Sequence, residues 1–205
     1  MSSYVFNFFF KYLPNVVVLI TIIQTKKTMT NYTPKDLYEN EITKVLDKMR
    51  HDYGILTRKG FIHGMIAIDQ DAKIIAIDSR FDRKLNYWDL SSVGAAMYGV
   101  ARQAQDFFDA ADLVRGSIIF KDLQLYVRSV GDVFLPRKGK REILIILLVD
   151  NEVNIGIIIL QMNKYAELLR KTIEQSSKTV SRLEMTEIEL KKHLINLKKK
   201  VFQSS

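Results

Sequence analysis

The sequence predicts one α/β (α+β) sandwich, a five-stranded sheet with helices in the order helix, strand, strand, helix, strand, strand, strand, helix. Three observations carry this reading. Apolar residues recur at three- and four-residue spacing in separate stretches, and short β-branched runs bounded by turn residues lie between them. The length of 205 residues, 47% apolar and 26% charged, suits one core with modest extensions.

Taken in order, Leu37, Ile42, Val45, Leu46, Met49 and Tyr53 form a helical stripe, with Thr33 as cap, Pro34 at the first position and Gly54 as terminator. Phe61 to Asp69 and Lys73 to Ser79 read as strands of a hairpin joined by Gln70, Asp71 and Ala72. Asp89 caps the second predicted helix, which runs to about Ala111 with Val93, Met97, Val100, Ala104 and Phe107 or Phe108 as its apolar stripe. Its other faces carry Ser92, Gly94, Ala95, Ala96, Gly99 and Ala101. Glycine inside a helix costs about 1 kcal/mol against alanine, so these small residues point to close packing, on the parent sheet or on a second copy of the helix.

Val114 to Phe120, Leu125 to Val130 and Ile143 to Val149 complete the strands, and the last, nearly continuous in Ile and Leu, is expected at the centre of the sheet. Gly131 to Arg141 reads as a loop with a basic tip. From Asn154 the pattern is ambiguous: Gly156 to Leu160 has strand composition, while Met162, Tyr165, Ala166, Leu169 and Ile173 keep helical spacing. Residues 175–205 read as a basic amphipathic tail, interrupted at Ser176 and Ser177.

Several kinds of chemistry find no residues. Without cysteine there is no disulfide, thiol nucleophile or thiolate metal site, and a reducing cytoplasm is the expected location. His51, His63 and His193 have no ligand spacing, and no phosphate-binding glycine motif occurs. Asp69 and Asp71 bracket a turn but lack the further oxygen ligands of a calcium loop, so turn capping accounts for them. The expectation is a protein that is not an enzyme, with no catalytic, metal or cofactor residues. The net charge of +8 is scattered, which does not select nucleic acid as a partner. Arg137, Lys138, Lys140 and Arg141 are candidate partner contacts, against the plainer reading of a solvated loop. Tyr87 and Trp88 are candidate anchors, against a local contact at the start of the helix.

Residues 1–28 stand apart. Tyr4 to Ile23 is strongly apolar, but Lys11 and Pro14 interrupt it, and it lacks a basic start and a small-residue cleavage site. Two readings stand: translation upstream of a natural start at Met29, or a membrane anchor followed by Lys26 and Lys27. The expected organisation is therefore an apolar extension over 1–28, a domain over 34–174 and the tail, with peripheral membrane contact through the extension or the tail as an alternative.

The element order and several local sequences resemble the roadblock (dynein light chain) family. Gly64-Met-Ile-Ala-Ile-Asp69 with Lys73-Ile-Ile-Ala-Ile-Asp78 resembles its first hairpin, Ser92 to Ala101 its small-residue-rich second helix, and Leu147 to Asp150 with Asn154-Ile-Gly156 its last strand and the opening of its last helix. The resemblance covers about Pro34 to Glu174. It implies an antiparallel sheet, a helix from about Ile155, and a dimer, with itself or another roadblock chain, through the second helix and third strand. Its contacts would be Gly94, Ala95, Gly99, Ser117 and Ile119. It also implies a scaffold that binds small Ras-like GTPases and modulates their nucleotide hydrolysis. The basic segment and the extended tail depart from the family pattern. A membrane-tethered assembly factor and a small-molecule sensor of similar shape are the competing readings; a sensor requires an apolar pocket inside the monomer.

Overall fold

The computed structural model describes residues 35–185. The extension over 1–28, the Thr33 cap, Pro34, and the tail beyond Met185 with His193 lie outside them. The elements are α1 (Lys35–Tyr38), α2 (Glu41–Leu56), β1 (Ile62–Asp69), β2 (Ile74–Ile77), α3 (Tyr87–Phe108), β3 (Arg115–Ile119), β4 (Leu123–Leu135), β5 (Gly139–Asp150), α4 (Ile155–Gln175) and α5 (Ser177–Glu184).

All strand pairs are antiparallel, in the order β2-β1-β5-β4-β3. The Ile- and Leu-rich run over 143–147 lies at the centre as expected, with every residue 0–1% exposed. One face of the sheet is covered by α2, α4 and α5, through Leu46, Met49, Tyr165, Leu169 and Leu183 against Met65, Ile145 and Leu147. The other is covered by α1 and α3, through Leu37, Tyr87, Leu90 and Tyr98 against Ile66, Val127 and Ile146. Each such side chain taken fully out of water stabilises the fold by roughly 1.5–3 kcal/mol.

Local chemistry revises several boundaries. The first predicted helix is two, because Asn40 accepts a hydrogen bond from the Thr43 backbone N–H at 2.8 Å and caps α2. Gly54 lies within α2, which ends at Leu56. Asn86, not Asp89, caps α3, and Asp109 in the left-handed conformation (φ 48°) closes it just past Phe108. Asp69 caps the β1–β2 turn, accepting from the N–H groups of Asp71 at 3.0 Å and Lys73 at 2.9 Å. Asn154 caps α4, and a Cβ on Gly156 would stand 3.3 Å from the capping oxygen.

The segment from Gly131 to Arg141, expected as a loop, is mostly strand. β4 continues through it with Val133 and Leu135 buried while Asp132 and Phe134 are exposed. Only Pro136 to Lys138 form the turn, closed by Lys138 N–H on the Leu135 carbonyl and by Gly139 at φ +69°. Asp132-Val-Phe-Leu135 alternates as a strand does, a short signal that the turn residues on either side obscure in the sequence. The packed unit also reaches past Glu174: Leu183 is 1% exposed, and Ser176 ends α4 while capping α5.

Asp52 joins α2 to α4, accepting from Lys164 Nζ and Tyr165 Oη, each at 2.6 Å. These hydrogen bonds, Lys164's first, hold its carboxyl below the ordinary range. A carboxyl depressed in the folded state stabilises it above the unfolded pKa and loses that contribution as pH falls through the folded one. The stability gap between the protein and Asp52→Asn, measured by urea unfolding, is therefore expected to be full at neutral pH and to close progressively below about pH 4. A gap that persists unchanged into strong acid would contradict this.

Candidate functional site

The two edges of the sheet end differently. At β2, side chains occupy the outward carbonyls: Thr43 Oγ1 donates to Ile77 O at 3.0 Å, and Asn40 Nδ2 to Ile75 O at 3.4 Å. Arg182 reaches Ile74 O at 3.2 Å. At β3 nothing comparable occurs among the described residues. Val114 O accepts from Ser129 N–H and Phe120 N–H donates to Leu123 O, so the even-numbered residues of β3 bond to β4. The N–H and C=O groups of Arg115, Ser117 and Ile119 consequently face outward, an open template for another strand.

Beside that edge lies the outer face of α3. Its inner face is Tyr87, Leu90, Ser91, Gly94 and Tyr98, all buried. Most of the predicted stripe points the other way, with Val93 42% exposed, Val100 69% and Phe108 78%, while Met97 of that stripe packs against the core. Ile119, 66% exposed, projects from the other face of β3, the one that carries Tyr126. Alternating apolar stripes on one helix gave periodicity no means of choosing the inner one. The five candidate dimer contacts divide accordingly. Ser117 and Ile119 are exposed on the open edge, and Gly99 has open space where a Cβ would stand. Ala95 is partly buried against the core. Gly94 is spent within the monomer, since a Cβ there would lie 2.2 Å from Ile146 Cδ1.

Most of the other candidates are structural. Tyr87 is buried and stacks edge-on to Phe81 with ring centres 6.3 Å apart, so it belongs to the core, with the half-buried Trp88 tilted against it at 5.4 Å. The basic segment is largely committed: Lys138 Nζ donates to the carbonyls of Leu183 at 3.1 Å and Met185 at 2.8 Å, and Arg137 N–H to Glu184 at 2.9 Å. Lys73 Nζ shares those carbonyls, and burial pushes its pKa down. Two ammonium groups thus close the C-terminal end of α5, where its dipole is negative. Arg141 pairs with Asp71, which leaves the side chains of Arg137 and Lys140 as the exposed cations of the four.

Around the β4 bulge at Ser129–Gly131 an open polar groove of about 550 Å³ separates the end of α3 from α4. Glu142 forms one wall, accepting from Ser129 Oγ and contacting Tyr98 Oη, each at 2.7 Å, while pairing with Arg102. Burial, then the bond to Glu142, raises the Tyr98 pKa, so the phenol stays protonated. Arg128, which composition and spacing did not single out, also lines this groove. A void of only about 10 Å³ lies between β2 and α5, lined by residues such as Ile75, Thr179 and Leu183. That is room for about one water, far below the roughly 300 Å³ from which ligand pockets start, and it counts against the sensor reading. Among the described residues no three His, Asp or Glu side chains cluster as a metal site would require, and no helix is long and apolar enough to cross a membrane.

No protein-family model matches the chain, and no curated protein matches its sequence. Solved structures do. Myxococcus xanthus MglB superposes with a TM-score of 0.52 at 14% identity, over 67% of this chain and 98% of that one. The gliding protein MglB of Thermus thermophilus gives 0.53 at 14% identity, over 71% and 100%. A Roadblock/LC7 domain from Streptomyces avermitilis gives 0.48 at 14%, over 62% and 96%. At these identities the likeness is one of fold.

Proposed function

Taking the roadblock/LC7 fold as the premise, we propose that the chain is a non-catalytic dimeric scaffold that binds small Ras-like GTPases and modulates their nucleotide hydrolysis. The observation that supports it most directly is the open β3 edge beside the exposed apolar face of α3, in a sheet whose opposite edge is closed by side chains. A two-fold axis at Ser117 sets it opposite its own copy and Arg115 opposite Ile119. The two sheets then become one, and Val93 and Val100 of two α3 helices come together.

The GTPase part of the reading rests on the family resemblance. A dimer of this kind acts by ordering the residues of its partner. The test is retention of purified small Ras-like GTPases, loaded with a diphosphate or a triphosphate analogue, on the immobilised full chain. Retention that depends on the nucleotide is the expected result. Equal failure of both forms across the GTPases of the same cell would overturn the proposal.

A further inference from the structure

Arg115 and Arg128 stand directly opposite each other on β3 and β4. Because the even-numbered residues of β3 exchange the ladder hydrogen bonds, this is a non-hydrogen-bonded pair, the kind in which facing side chains come closest. Both project from the face that carries Tyr126, beside α4. Like charges so placed destabilise a sheet. Neither guanidinium has a carboxylate within ion-pair distance among the described residues. Arg128 Nε is buried without a hydrogen-bond partner, and burial, with Arg115 next, depresses the Arg128 pKa.

The arginines nearby are committed, Arg102 to Glu142 and Arg170 to Glu174. Arg128 alone among those lining the groove has no acid to neutralise it. Asn163 and Ser129 line the same groove as neutral polar groups. So do four carboxylates, of which Glu142 and Glu167 pair with Arg102 and Lys171 while Asp112 and Asp132 stand beyond ion-pair distance of Arg128. The unmet requirement is for an anion, and two adjacent guanidinium groups supply two charges in planar forks that match tetrahedral oxyanions.

We propose that the Arg115–Arg128 pair is a binding site for a phosphate-type dianion, carried by a soluble phosphorylated molecule or by a lipid headgroup. The site lies within one chain, on the face of the sheet opposite α3. It therefore does not depend on the dimer or on the GTPase reading. Its upkeep explains why a like-charge pair is held at a position where one glutamine would stabilise the sheet.

Inorganic pyrophosphate titrated into the full chain, followed by the thermal midpoint and by the arginine Nε–H resonances, reads the soluble source. Flotation with phosphatidylcholine vesicles, with and without phosphatidylinositol 4-phosphate, reads the headgroup. Binding in either arm supports the site, and Arg128→Gln or Arg115→Gln is expected to weaken it by about tenfold or more. Without ligand, both variants are expected to melt at or above the parent midpoint, since each relieves repulsion. Three results would each overturn the proposal: no binding in either arm, binding unchanged in both variants, or a lower ligand-free midpoint in both.

Discussion

Asp78→Ala is expected to destabilise the domain by about 3–5 kcal/mol, a large part of the roughly 5–15 kcal/mol that holds a domain folded. Asp78 is fully buried and its Oδ1 stands 2.7 Å from Arg50 Nη2, on a side chain that is itself only 9% exposed. Its carboxylate also accepts from Met65 N–H at 2.6 Å and Arg80 N–H at 3.0 Å, while Arg50 donates to the Ile62 carbonyl. One pair thus holds α2 to β1 and to the end of β2. Burial pushes Asp78 up and Arg50 down in pKa, so each charge is costly where it lies and is held there by the other. Removing Asp78 leaves a buried guanidinium uncompensated. Replacing both, by Arg50→Met with Asp78→Leu, is expected to recover part of the loss, and a double-mutant cycle in urea measures the coupling. A single-variant loss below about 1 kcal/mol would refute the assignment.

Ser117→Pro is expected to convert a dimer to monomers with little change in the monomer's own stability. The Ser117 N–H faces away from β4, so proline there deletes no hydrogen bond of the β3–β4 ladder; edge strands accept proline for this reason. Across a two-fold axis the same change removes a donor from each copy and sets a ring against each facing strand. At about 1–1.5 kcal/mol per lost bond, the dissociation constant should rise by at least about thirtyfold, measured by sedimentation. Gly99→Trp reads the adjoining helix face, because a side chain there meets open space in the monomer. Variants that unfold normally and remain dimeric would place the interface elsewhere.

Much of the scaffold is legible in the sequence. The hairpin around Asp69 and the central Ile and Leu strand follow from composition and turn chemistry, interactions that span a few residues, whereas the helix after Asn154 is left open by periodicity and follows only from the family resemblance. The misreadings share a cause. Asn86 competes with Asp89 as a cap, and which oxygen meets a free N–H is settled by where the chain is held. The hairpin tip reads in sequence as a loop with a basic tip, but its lysine and backbone are used on the end of α5, some 45 residues further along the chain.

The order of elements, the alternation that buries one face of each strand and the absence of thiol chemistry belong to the sequence, because each depends on neighbours in the chain. Which of two apolar stripes on α3 faces inward, which edge of the sheet stays open and which arginines find a carboxylate were decided only in the folded molecule. All three depend on strand order and register, which bring together residues far apart in the chain: Gly94 with Ile146, Thr43 with Ile77, and Arg115 with Arg128.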